Sequence, residues 1–225
     1  MKKKLIYCLL FIGVFASTAC NKKEWKETVN TKVYLNAIGT SIYFGVNYLE
    51  IDTFSISMNN FSLVGNRIQA EDIFLVNPAT TNGTFVGTNS QLSLSFDIPQ
   101  GTYEQLQLSM QLSGSSSLSI RGTYHLASGA TKLVLIDFEN QDYIVKKILQ
   151  SGSETVLIDK DNPGSIVLTL DANVLFADLN PSYWNGASTS VVGGQNAIQI
   201  SNSQNANMHS LIGNKISASL AYDYN

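Results

Sequence analysis

Cysteine is nearly absent from this 225-residue chain, and its two copies, Cys8 and Cys20, both fall near the start. A disulfide-stapled scaffold is thereby excluded, as is an immunoglobulin-type cysteine pair, so stability has to come from a hydrophobic core. Histidine is equally scarce, with only His125 and His209. Charged residues make up 14% of the chain, against an average of about 25%. Beyond residues 1–19, Lys and Arg cluster only at Lys22, Lys23 and Lys26, which read as a solvated tether. Backbone binding to nucleic acid needs clustered cations, so that class of partner is excluded. No G-x-S-x-G, no H-E-x-x-H, no phosphate-cradling glycine loop and no internal repeat is present. These absences lean against an enzyme and imply no cofactor.

The chain opens with Lys2, Lys3 and Lys4, followed by an apolar stretch from Leu5 to Phe15 and by small residues from Ala16 to Ala19. This charged, apolar, small sequence is the layout of a secretory signal, expected over residues 1–19. The apolar part falls short of the roughly 20 residues that a membrane-spanning helix needs. Its three lysines would leave with it, taking the formal net charge from −3 to −6. Ser17-Thr18-Ala19-Cys20 resembles a bacterial lipobox, in which the signal is cut before a cysteine that then carries lipid. The resemblance implies acyl chains on Cys20 and a membrane partner reached through them. Each buried methylene contributes about 0.8 kcal/mol, so several chains anchor stably. Lipoproteins of this resemblance often mark inner-membrane retention with an acidic residue after the cysteine, and some lineages mark surface export with an acidic run. Asn21 and Lys22-Lys23-Glu24 carry neither, so the resemblance implies the outer membrane with the leaflet left open.

Residues 20–31 read as the lipidated tether, and residues 32–225 as one β-sandwich domain. The dominant period there is two, the signature of half-buried strands. In QLSLSFDI, Leu92, Leu94, Phe96 and Ile98 share a face; in QLQLSMQL, Leu106, Leu108, Met110 and Leu112 do; in DTFSISMNN, Phe54, Ile56 and Met58 do. TKLVLIDF and SIVLTLD are denser, as central strands are. Further strands are expected near 33–37, 41–48, 72–76, 118–126, 142–149 and 153–159, about ten in all. Asn82-Gly83, Gly114-Ser115 and Asp161-Asn162-Pro163-Gly164 read as turns, the last of type II. Short strands at regular spacing without long helices between them predict an all-β, antiparallel sandwich. Leu94, Leu108 and Ile166 are expected in its core.

The last sixth of the chain differs. NPSYWNGASTSVVGGQN reads as a polar loop and IQI as a short strand. Met208, Leu211, Ile212 and Ile216 then recur at helical spacing, predicting one helix near 205–218 with Ser203 or Asn205 as N-cap.

Few residues offer chemistry. His209 beside Met208 pairs imidazole with thioether, a combination that suits copper, but one pair is not a site and Met208 fits the core. Asp159-Lys160-Asp161-Asn162 alternates oxygens as calcium loops do, with Gly164 at the sixth position. Leu170 stands at the twelfth position and Pro163 intrudes, so a turn is the better reading. Glu71-Asp72 and Asp137 with Glu139 are carboxylate pairs whose plain reading is solvation. Tyr183 and Trp184 remain, in a polar loop over 180–188. Such aromatics either stack on a sugar or a partner, with Asn180 or Asn185 supplying hydrogen bonds, or tuck under the loop as a plug.

Pro99, Gly101 and Tyr103, followed by Leu106 and Leu108, resemble a strand-opening turn common in Gram-negative envelope lipoproteins with a β-sandwich domain. The resemblance implies an envelope lipoprotein and carries over no catalytic residue. The expectation is therefore a lipid-anchored envelope protein with a binding or structural role. Its partner would be an envelope protein or a glycan; the alternative is an accessory glycan-binding module or, further off, a glycan hydrolase.

Overall fold

A computed structural model describes residues 26–85, 90–139, 143–150 and 152–225. The signal segment, Cys20 and the cluster at Lys22 and Lys23 lie outside the described residues.

The fold is mostly β and is organised around β3 (Asn47–Arg67), a strand of 21 residues whose side chains alternate between buried and open positions. Along one side of β3 lie β8 (Leu118–His125) and β7 (Gly101–Leu112), end to end and both antiparallel to it. Gly114-Ser115 is therefore no hairpin turn. It belongs to a short excursion in an otherwise continuous line, and Ser57 bonds both ends of the break, donating to Ser117 O and accepting from Ser113 N. Along the other side lie β2 (Ser41–Phe44), β5 (Thr81–Phe85) and β4 (Ile73–Asn77). Asn82-Gly83, read as a turn, runs instead inside β5 opposite Ser57 and Ile56.

From β8 the sheet continues through β9 (Thr131–Phe138) and β14 (Gln195–Ile200) to β13 (Thr189–Val192). From β7 it continues through β10 (Tyr143–Gln150), β15 (Leu220–Tyr224), β12 (Ser165–Asp171) and β1 (Thr28–Ile38) to β6 (Ser90–Pro99). A short β11 (Val156–Ile158) pairs with the start of β7. These strands exceed the ten expected: β5, β13 and β15 were not anticipated, and β1 begins four residues inside the stretch read as tether.

The sheet is mixed, which corrects the antiparallel expectation. β1 runs parallel to β12, β10 to β15 and β9 to β14. Alternation of side chains fixes which residues share a face, whereas direction depends on long crossovers that join distant parts of the chain. The core follows the alternation: Leu94, Leu108 and Ile166 are buried, as are Leu92, Phe96 and Ile98.

Four short helices lie in the last quarter: α1 (Ala172–Leu175), α2 (Pro181–Gly186), α3 (Ala206–Gly213) and α4 (Ile216–Ser219). The single helix expected over 205–218 is thus two. Asn214 and Lys215 turn between them, and the Lys215 ammonium meets Asp178 at 3.1 Å.

Asp161-Asn162-Pro163-Gly164 is also not a type II turn, because Gly164 does not adopt positive φ. Its lack of a side chain has a packing cause: a Cβ there would fall 2.5 Å from Cζ of Tyr224.

Candidate functional site

The segment read as a loop around Tyr183 and Trp184 folds as α2. Asn180 supplies its N-cap, accepting from Ser182 N at 2.9 Å and from the Ser182 hydroxyl at 2.5 Å, with Pro181 in the first turn. Proline there loses no helical hydrogen bond, and its fixed φ suits a helix start. On so short a helix, neighbouring residues point about 100° apart, so Tyr183 and Trp184 take different surroundings.

Trp184 faces inward and is fully buried. Its ring lies 4.9 Å from Tyr124 at 15°, 5.2 Å from Phe44 and 6.4 Å from Phe176. The indole N–H has no hydrogen-bond partner among the described residues. Trp184 thus sits as the plug under α2, and does not project from the surface as stacking on a ligand would require. Tyr183 stays half-buried and lines a cavity of about 340 Å³.

The other wall of this cavity is the start of α3: Asn205, Asn207 and Met208. Asn205 stands at the N-cap position, but its side chain does not cap the helix. It sits at φ 53°, one of two non-glycine residues of the described chain in the left-handed region. Asparagine tolerates that region better than most residues, and here the surroundings fix it. The Asn205 amide donates to Ser188 O at 3.0 Å and to Gln199 O at 2.6 Å, and its oxygen accepts from Ser188 N at 2.9 Å. Asn205 therefore ties the segment after α2 to the segment before α3 and holds the two walls together. No charged side chain lines the cavity among the described residues.

Phe44, six residues past the end of β1, packs 5.2 Å from Trp184 of α2. β1 leads from Thr28 across 11 residues, about 35 Å at the usual strand rise, to Ile38. There Gly39 meets Asn173 of α1, at the helical end of the molecule.

The remaining candidates have structural roles. Met208 is buried, and His209 stacks on Phe138 at 4.3 Å with Nε2 3.2 Å from the Asp137 carbonyl. Burial lowers the His209 pKa, against the opposing pull of the Asp137 carbonyl and of Glu139. Asp72 accepts from Asn66 and from the Arg67 backbone, and Asp137 accepts from Ser116. Asp159 closes its own turn by accepting from Asp161 N. No group of three or more His, Cys, Asp or Glu able to hold a metal occurs among the described residues.

The Pro99, Gly101, Tyr103 stretch is likewise a packing device. The buried Tyr103 phenol donates to Pro99 O at 2.6 Å, and burial pushes its pKa up to about 12.

Tyr183 was legible in the sequence as a candidate. Its joining with Asn205 and Asn207 was not, because the tie is made through Ser188 and Gln199 in space. No helix among the described residues is long and apolar enough to cross a membrane. Compared with known proteins, the chain matches no family model, and no curated protein or solved structure is detectably similar to it.

Proposed function

We propose that the chain is a lipid-anchored protein of the bacterial outer membrane, tethered through Cys20, whose β domain binds a neutral glycan in the cavity between α2 and α3. The observation that carries the ligand class is the cavity's composition. A half-buried tyrosine stands beside Ser182 and Asn207, and no charge lines the wall. Sugar C–H faces stack on an aromatic ring, while hydroxyls meet amide and hydroxyl groups. A volume of about 340 Å³ lies at the small end of the range for ligand sites, enough for one or two sugar rings. In this reading Trp184 supports the site by fastening α2, and Tyr183 touches the ligand.

The domain itself we read as two packed layers. β10 leaves β7 for β15 partway along its length, as a strand does at a sandwich corner. Leu35 of β1 lies against Gly83 of β5, where a Cβ would collide with it.

A glycan array on the wild type and on Tyr183→Ala tests the ligand. A signal in the wild type that disappears in the variant, with an unchanged thermal melt, supports the site; no signal in the wild type removes it. Mass spectrometry of the mature protein tests the anchor, and an unmodified Cys20 with cleavage elsewhere removes that part.

A further inference from the structure

We infer that β4 is the contact strand of a two-fold dimer, in which a second copy of this chain adds its own β4 antiparallel to the first. β4 pairs with β3 on one side, and its other side has no strand partner among the described residues. Ile73, Phe74, Leu75 and Val76 form a run of four apolar residues, with Phe74 69% and Val76 60% exposed. Phe74 pairs across to Val64, itself partly open, so the apolar stripe continues onto β3.

Edge strands ordinarily guard themselves with charge, proline or bulges, because their free N–H and C=O groups template pairing. β6, at one end of the sheet, follows that rule with Asp97 and Ser95, both bonded by Asn30, whereas β13, at the other end, carries Val191 71% exposed beside Thr189 and Ser190. β4 has no such guard within its five residues; Pro78 comes only after it.

A second copy fits this edge better than an unrelated strand because the sequence is self-complementary about Leu75. Antiparallel pairing centred there sets Leu75 against the partner's Leu75, Phe74 against the partner's Val76 and Ile73 against the partner's Asn77. The outer face then gathers Phe74 and Val76 from both copies into one patch. Charge agrees with this register. Asp72 comes beside the partner's Pro78 and Glu71 beside the partner's Ala79, so no carboxylates face one another. Sliding the centre toward Asp72 would bring the two acids together, and like charges directly opposite destabilise a pair. Pro78, lacking an N–H, ends the ladder where the apolar run ends. Five residues a side bury less than the roughly 1,200 Å² of a standard stable interface, so the dimer is weak and concentration-dependent.

The test uses the full chain carrying Cys8→Ser and Cys20→Ser, which removes both native thiols. Sedimentation over a micromolar to near-millimolar series is expected to show monomer passing to dimer. Phe74→Lys and Val76→Lys, both at exposed positions, are expected to abolish the dimer without lowering the melting temperature of the monomer. Leu75→Cys is expected to give a disulfide-linked dimer on mild oxidation, and Val191→Cys, exposed on the opposite edge, is not. A monomer throughout the series overturns the proposal, as does a dimer that survives both lysine substitutions. Equal cross-linking at Val191 also overturns it. A chain that stays monomeric yet binds an extended foreign peptide along β4 assigns the edge to another occupant and overturns the second-copy reading.

Discussion

Trp184 stacks on Tyr124 with ring centroids 4.9 Å apart and planes 15° from parallel. That contact fastens α2, a helix of six residues that could not persist alone, to β8 at the heart of the sheet. Truncation to Trp184→Ala is expected to cost about 3–5 kcal/mol, as removal of a buried aromatic does. Trp184→Phe keeps a ring against Tyr124 and removes the unpartnered indole N–H, so it should cost less than about 1.5 kcal/mol. Urea denaturation of both variants gives the comparison. An alanine variant as stable as the phenylalanine one would mean that the ring cluster does not hold the helix.

A second pair of residues explains a glycine that no turn requires. Gly65 lies inside β3, and a Cβ there would stand 2.7 Å from Cδ1 and Cε1 of Tyr103. The Tyr103 ring is fixed from its other end by the bond to Pro99 O. Gly65→Ala is expected to destabilise by about 1–3 kcal/mol through overpacking. In a Tyr103→Ala background the same change should cost much less, giving a coupling above about 0.5 kcal/mol in a double-mutant cycle. Additive effects would assign the cost of alanine to another neighbour, Ile73 being the nearest.

The strand faces were legible because a period of two survives any arrangement of neighbours. Leu92, Leu94, Phe96 and Ile98 had to share a side whether β6 paired parallel or antiparallel, and all four are buried. What the chain does across large separations was not written locally. Asn82-Gly83 has the chemistry of a tight turn, yet Gly83 sits in a strand because Leu35 of β1 fills the space a side chain would take. β3 also runs on through Asn59 and Asn60, well past the DTFSISMNN stretch. The register slips there, with Asn60 left-handed and its amide donating to Gln111 at 2.9 Å. The same limit applies to the cavity. Tyr183 could be singled out by its composition, but Asn205 acquires its role only from Ser188 and Gln199.

Two tyrosines on β15 should respond oppositely to loss of their hydroxyls. The Tyr222 hydroxyl is buried without a partner among the described residues, and burial raises its pKa far above the ordinary value. Tyr222→Phe removes a desolvated polar group that makes no hydrogen bond, so stability should be unchanged or higher by about 1 kcal/mol. The Tyr224 hydroxyl accepts from Gly164 N at 3.0 Å. Tyr224→Phe should therefore cost about 0.5–1.5 kcal/mol. Chemical denaturation of the two single variants decides it, and equal losses would count against the Tyr222 assignment.

His209 gives the fold a dependence on pH whose sign follows from its burial. The ring is buried between α3 and β9, stacked on Phe138, and burial lowers its pKa below the ordinary 6.5. The Asp137 carbonyl and the Glu139 carboxylate pull the other way and reduce the shift without cancelling it. Nε2 donates to Asp137 O, and burial disfavours the charged ring in the folded state. Below the unfolded pKa the unfolded chain takes up a proton that the folded chain refuses, so unfolding is favoured as pH falls. The full contribution is present above about pH 6.5 and is lost progressively as pH drops toward the lower folded value, below which it is flat. Melting temperatures measured between about pH 8 and about pH 5 should fall on acidification, and His209→Gln should flatten that fall. The substitution also removes the stack on Phe138, which lowers stability equally at every pH, so the slope is the quantity that reports titration. An unchanged slope in His209→Gln would assign the acid sensitivity to other groups.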